Sequence, residues 1–212
     1  MKVGILGSGA VAQALAVGFL QHQHTVLLGT RDVSKLSAFL AKNKGARVGS
    51  FRDATLFGDI VVLAVKGLAA ADVLRDADED NIEGKVVIDA TNPIADVAPT
   101  HGVLEYFTRA GESLMERLQR DFSGARFVKA FSCVGSALMV HPQLAGGPPT
   151  MFICGNDAEA KAVVAGILRE FGWGVEDMGM AEAARAIEPL AMLWCIPGFL
   201  RNDWSHAFKL LR

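Results

Sequence analysis

The sequence predicts an α/β protein, a doubly wound, mostly parallel sheet followed by a small, mainly helical C-terminal part. Three observations predict it. The chain opens on an apolar run, a glycine-rich turn and an amphipathic helical pattern. Strand-like and helix-like segments then alternate as far as Arg126–Ala130. Ile60-Val61-Val62-Leu63-Ala64-Val65 is apolar throughout, as a parallel strand covered on both faces must be.

The first strand is Val3-Gly4-Ile5-Leu6, and Gly7-Ser8-Gly9-Ala10-Val11-Ala12 follows it. Apolar residues at Ala12, Leu15, Ala16 and Phe19, spaced by three and four, mark a helix. This is the Rossmann-type dinucleotide fingerprint in its GxGxxA form. Gly7 permits the tight turn, and a bare Gly9 lets a pyrophosphate approach the helix N-terminus, where amide donors and the dipole hold an anion. Gly7, Ser8, Gly9, Ala10 and Val11 are therefore the expected pyrophosphate contacts.

The second strand, Thr25 to Leu28, ends where the adenosine ribose should lie. A site for NAD would place Asp or Glu there. This chain has Gly29-Thr30-Arg31, with Lys35 one helical turn on. A hydroxyl, a guanidinium and an ammonium suit a 2′-phosphate, so the cofactor expected is NADP(H). The competing reading is that Arg31 merely opens a solvated helix with Asp32 as its N-cap.

A helix over Val33–Lys44 with Gly45 as its stop comes next, then a short strand at Ala46–Gly49 and a connecting helix beginning at Asp53-Ala54. Ala64, Val65 and Lys66, at the end of the fourth strand, are expected to border the ribose or pyrophosphate, although Lys66 suits an exposed position equally well. Gly67–Asp76 reads as helix, Asp76–Glu83 as an acidic connector and Lys85–Ala90 as the fifth strand. Asn92, in Thr91-Asn92-Pro93, is either a wall for the nicotinamide ribose or an ordinary turn residue before proline. A loop over 95–111, a helix over Glu112–Asp121 and the sixth strand complete a dinucleotide-binding domain, 1–131.

The remainder, 132–212, is expected to form a small substrate and dimerisation domain. It contains a strand at Thr150–Cys154, a helix opened by a capping box of Asn156 and Glu159, and a strand at Gly174–Asp177. Ala184–Ile196 is apolar almost all round, kinked by Pro189, and a further short helix would present Trp204, Ala207, Phe208 and Leu211. Leu190, Met192, Leu193, Trp194 and Phe199 are the expected homodimer interface, part of which roofs the substrate pocket; an intramolecular core is the alternative.

Composition excludes other classes. The net charge of −2 and the lack of a Lys/Arg run at either end argue against a nucleic-acid partner. The N-terminus starts on a strand without an export segment, and Pro189–Leu200, twelve residues broken by Pro197-Gly198, falls short of a membrane span. Cys133, Cys154 and Cys195 are odd in number and widely spaced, which fits reduced thiols in a cytoplasmic protein, and no metal-ligand spacing occurs.

Five stretches give the chain a family resemblance. They are Gly7-Ser8-Gly9, Gly29-Thr30-Arg31 with Lys35, Val128-Lys129-Ala130-Phe131, Cys154-Gly155-Asn156-Asp157, and Arg185 with Glu188 and Leu190. In this order they resemble the NADPH-dependent deazaflavin (coenzyme F-420) reductase family, which is itself similar to the reductase domain of transmembrane ferric reductases. The resemblance implies a Rossmann domain with a small C-terminal domain, a homodimer, and hydride transfer between NADPH and a flat redox ring. Members that use the deazaflavin tend to carry His where this chain has Ser132, and proline where it has Gly135 and Lys66. A flavin, a quinone or another small-molecule redox acceptor therefore stands beside the deazaflavin.

Hydride transfer asks little of side chains beyond alignment in a dry slot, so no catalytic side chain is expected. Ser132 and the amides of Cys133 and Val134, with Met192 from the roof, are the expected acceptor contacts. Glu188 is expected to pair with Arg185 one turn back. Two other functions fit the same fold: an NADP(H)-binding sensor or scaffold without turnover, and reduction of an imine or carbonyl, for which only Lys66, Ser132 and Tyr106 offer a proton.

Overall fold

The structure, a computed structural model, describes residues 1–212. Six parallel strands form the main sheet: β1 (Lys2–Leu6), β2 (Thr25–Gly29), β3 (Ala46–Gly49), β4 (Ile60–Leu63), β5 (Val86–Asp89) and β6 (Arg126–Lys129). Their spatial order is β3-β2-β1-β4-β5-β6. The order reverses between β1 and β4, which opens a crevice above the carboxyl ends of those two strands.

Alternate side chains leave opposite faces of a strand, and here both sets are buried. Val3, Ile5, Val26, Leu28, Val62, Ile88 and Val128 share one core with α1 (Ala10–Gln21), α2 (Ser37–Lys42) and α6 (Ala158–Glu170). Leu6, Leu27, Val61, Leu63, Val87 and Phe127 share the other with α3 (Phe51–Phe57), α4 (Ala70–Asp76), α5 (Leu114–Asp121) and the start of α7 (Ala184–Arg201). A second, two-stranded parallel sheet, β7 (Thr150–Ile153) with β8 (Gly174–Asp177), is crossed by α6. The Lys129 amide donates to the Cys154 carbonyl at 3.0 Å and links this unit to the edge of the main sheet.

Several local expectations are corrected. The helix expected over Val33–Lys44 is a 3-10 turn, Val33–Leu36, followed by the six-residue α2, because Asp32 caps the Ser34 amide and starts a tighter turn first. α5 begins at Leu114 on a reciprocal Ser113–Glu116 capping box. Asp157, not Asn156, caps α6, while Asn156 Oδ1 accepts from the Ala181 amide.

α7 continues through Pro189 and Pro197 to Arg201. With the turn before it, Ala181–Arg201, it is long and apolar enough to cross a membrane, although it turns Ile187, Glu188, Ala191 and Trp194 inward against the protein. Residues 202–212 form no helix. Their polar groups are spent on neighbours instead: the Trp194 indole donates to the His206 carbonyl at 2.7 Å, and the Thr150 amide donates to the Phe208 carbonyl at 2.9 Å.

Candidate active site

A groove of about 580 Å³ runs over the ends of β1, β2 and β4 and is lined by Gly7, Ser8, Gly9, Ala10, Val11, Thr30, Arg31, Lys35, Ala64, Val65 and Lys66. Gly7 has φ +140°, and a Cβ there would run into the Ala64 carbonyl oxygen. At Gly9 nothing lies within 4 Å of the Cβ position, so that volume is free for a ligand atom. Gly9 is also the N-cap of α1, which has neither a side-chain cap nor an acidic residue in its first turn. Its amides and dipole are thus left for an anion. Gln13 Nε2 donates to the Ser8 carbonyl at 2.9 Å and pins the turn.

At the far end, Thr30 is buried and accepts the Asp32 amide on its hydroxyl oxygen at 3.2 Å. Arg31 and Lys35 are exposed and enter no ion pair. Asp32, Phe51, Ala69, Val73 and Ala90 complete the lining and were not foreseen from sequence. The Ser34 hydroxyl and amide hold the Asp32 carboxyl below its ordinary value, so it is a carboxylate committed to its cap. The end of the groove carries two cations against that one anion, a donor set that fits a phosphate ester.

Val65, Lys66 and Ala90 also line an adjoining cavity of about 290 Å³, with Asn92, Ile94, Ala95 and Asp96. Lys66 and Asp96 face each other across it at 3.6 Å, both largely in solvent. Asn92 Nδ2 donates to the Ser132 carbonyl at 2.7 Å. Asn92 Oδ1 and Ser132 Oγ are buried without a partner, unusual for polar atoms in a folded chain. Phe131, next in the chain before Ser132, is left-handed at φ +62°, its amide on Met151 Sδ. A non-glycine residue held there stores about 1–3 kcal/mol, and such strain concentrates at functional sites.

Ser132, Cys133 and Val134 are buried and Met192 is half-buried, and none of the four lines the groove or the cavity. The left-handed turn at Phe131 directs the chain back into the core, where Cys133 and Val134 pack. Burial pushes the Cys133 thiol up to about 12, which removes it as a nucleophile. The Tyr106 phenol is likewise pushed far up by burial and donates to the Glu188 carbonyl at 2.7 Å.

Sequence reasoning missed a buried ionic cluster behind this wall. Asp89 and Lys129 are register partners at the ends of β5 and β6. Lys129 Nζ lies 2.7 Å from Asp89 Oδ2, 2.9 Å from Glu188 Oε1 of α7, and donates to the Thr91 carbonyl at 2.9 Å. Burial by itself would lower the Lys129 pKa; the two carboxylates outweigh it and hold the ammonium above its ordinary value. Glu188 also accepts the amides of Leu114 and Met115 at 3.0 Å each, so the expected Glu188–Arg185 pair does not form. Arg185 instead forks onto Glu116.

A profile of the family described as NADP oxidoreductase coenzyme F420-dependent matches residues 2–93. The chain is similar to the F420-dependent NADP reductase of Methanocaldococcus jannaschii, 26% identical over 207 residues that make up 91% of this chain and 90% of that one. It is also similar to the metalloreductase STEAP3 of Rattus norvegicus, 29% identical over 204 residues covering 94% of this chain, and it spans 39% of that protein's length. A solved candidate F420-dependent NADP reductase from Arthrobacter sp. FB24 superposes with a TM-score of 0.94 at 30% identity, each chain covered in full. With that likeness running end to end over a glycine turn and a cationic strand tip, the chain belongs to the coenzyme F420-dependent NADP oxidoreductase family and is an NADP-dependent oxidoreductase.

Proposed function

We propose that the groove binds NADP(H) in an extended form and that a hydride passes between its nicotinamide and a flat redox acceptor, a deazaflavin or a flavin. The observation that carries this reading is the continuity of the groove. It begins at two unpaired cations, passes an uncapped helix N-terminus and continues, through the shared residues Val65, Lys66 and Ala90, into a cavity that ends on Asn92.

Arg31 and Lys35 would hold the 2′-phosphate, with Thr30 shaping the strand tip, and the amides of Gly9, Ala10 and Val11 would hold the pyrophosphate. Ala64, Val65 and Lys66 would border the riboses, and Asn92 the nicotinamide end. The bound dinucleotide supplies the hydride. The chain's own part is to align the two rings and exclude water.

The choice of a ring acceptor over an imine or carbonyl rests on the titratable groups of the cavity. They are Lys66 and Asp96, which neutralise each other in solvent. Of the other donors considered, Ser132 is buried and outside its lining, and Tyr106 is half-buried beside a different cavity, its hydroxyl spent on the Glu188 carbonyl. A flat ring that takes its proton from water needs no acid there. Ser132, Cys133, Val134 and Met192 would act as the packed backing of the acceptor wall rather than through their side-chain chemistry.

We further read 1–131 as the cofactor-binding domain and 132–212 as the part that backs the acceptor and pairs two chains in a cytoplasmic homodimer not inserted in a membrane. Leu193, Phe199 and Leu200, apolar and exposed on α7, favour the pairing. Following NADPH oxidation against a deazaflavin, riboflavin, flavin mononucleotide, a quinone and a ferric chelate, with NADH as control, tests the reading. NADPH-selective turnover with one ring supports it. Tight NADPH binding without turnover by any acceptor replaces it with a sensor.

A further inference from the structure

Asp89, Lys129 and Glu188 are each at most 2% exposed and come from three different elements, β5, β6 and α7. Burying three charges is costly, and replacing such a cluster by uncharged residues of similar volume is often neutral or stabilising. Their presence therefore calls for a geometric reason. The contacts supply one. Lys129 Nζ grips the main-chain oxygen of Thr91, the residue before Asn92. Asp89 Oδ1 accepts from the Thr91 amide at 2.9 Å and from the Thr91 hydroxyl at 2.6 Å. Thr91 is thus held on all its polar atoms by two charged side chains, and Asn92 next to it is fixed in the pose that joins Ser132 and lines the cavity.

We propose that Lys129 is a positioning residue for the redox end of the site: with Asp89 and Glu188 it locks the Thr91-Asn92 turn against α5 and α7, and so sets the place of the nicotinamide. This inference rests on the cofactor reading above. Glu188 extends the lock across the molecule, since the same carboxylate caps the first two amides of α5 and belongs to the helix proposed to back the acceptor. The adenosine end of the groove shares none of these contacts, so the two ends of the cofactor should respond differently when the lock is removed.

The test is a charge-neutral variant, D89N/K129M/E188Q, which leaves no unpaired buried ion. Melting temperature establishes the fold. Calorimetry with 2′,5′-ADP reads the adenosine end, and the rise in NADPH fluorescence on binding reads the nicotinamide end. The expected result is 2′,5′-ADP affinity within about two-fold of wild type, loss of most of the fluorescence rise, and kcat lower by about ten-fold or more with KM for NADPH little changed, since misplaced reacting groups cost at least that much. A folded variant with wild-type fluorescence and kcat overturns the inference and leaves the cofactor reading standing. Wild-type protein that binds neither 2′,5′-ADP nor NADPH overturns both.

A second variant, Asn92→Ala, keeps the inference falsifiable should the triple substitution not fold. If it leaves both the nicotinamide signal and kcat unchanged, the lock has nothing to act on and the inference falls. A loss matching that of the triple variant, with no further loss when the two are combined, supports action through one path.

Discussion

Asn92 bridges the ends of β5 and β6 by donating its side-chain amide to the Ser132 carbonyl at 2.7 Å. The contact ties together the two segments that leave those strands. It spends one of the two N–H groups of the amide on the protein and leaves Oδ1 buried without a protein partner, so the side chain is held in one orientation at the end of the cavity.

Selectivity for the phosphorylated cofactor should reside in Arg31. Its guanidinium is exposed and unpaired, so Arg31→Ala removes the proposed phosphate contact without disturbing the fold. Loss of a charge-assisted phosphate contact is worth about 1.5–3 kcal/mol, or roughly 10–100-fold in NADPH affinity. NADH affinity should change little, and the NADPH loss should shrink as salt is raised. Titration of both nucleotides at two ionic strengths checks this.

Gly7 and Gly9 should fail in different ways. A methyl at Gly7 meets the Ala64 carbonyl in a backbone conformation open only to glycine, so Gly7→Ala should cost about 1–3 kcal/mol or more of stability. A methyl at Gly9 meets no protein atom, so Gly9→Ala should melt near the wild-type temperature yet bind NADPH at least about ten-fold more weakly, by crowding the pyrophosphate. Thermal melts and nucleotide titrations on the two variants separate fold from site.

Gly135 should resist the proline that related deazaflavin reductases tend to carry. Its φ of −74° suits proline, but any Cβ would press into the indole of Trp194. Gly135→Pro should therefore destabilise by about 1–3 kcal/mol through overpacking. Adding Trp194→Leu should recover part of that loss, as read by denaturant unfolding.

The junction of α5 and α7 should weaken in acid. The Arg185 guanidinium, aided by Ser113, holds the Glu116 carboxyl below its ordinary value of 4.5. A carboxyl depressed in the folded state contributes stability that is present above its unfolded pKa and lost as pH falls through the folded one. Wild type should exceed Arg185→Gln in melting temperature at neutral pH, and the two should converge as the pH falls from 4.5 through the depressed carboxyl pKa. The gap is small, since a half-exposed pair is worth about 1 kcal/mol or less.

What the sequence disclosed is what periodicity and turn chemistry encode locally. Gly7 and Gly9 lie in one turn, Thr30 to Lys35 in one loop, and Ile60–Leu63 in one apolar run, so strand order apart, that half of the groove was readable. Asp89, Lys129 and Glu188 were opaque because a buried charge looks like a surface charge until its partners from other elements are known. Phe131 hid the direction of the following segment, since only a glycine or asparagine would have announced a left-handed turn. The last residues show the reverse error: Trp204, Ala207, Phe208 and Leu211 have helical spacing, yet the segment lies along α7 and β7 because its backbone is satisfied there.

All three tryptophans, Trp173, Trp194 and Trp204, fall in the last quarter of the chain, and none borders the groove. Trp194 and Trp204 stand 5.5 Å apart between ring centroids, while Trp173 is fixed in the core by its bond to the Met139 carbonyl. Indole emission overlaps the absorption of a dihydronicotinamide. The molecule consequently has its light donors on one part and its acceptor's berth on another. Resonance transfer from indole to bound NADPH would report, without any dye, how closely the C-terminal part approaches the reduced ring, and the same quenching in single-tryptophan variants would separate Trp194 on α7 from Trp204 beyond it and Trp173 in the core.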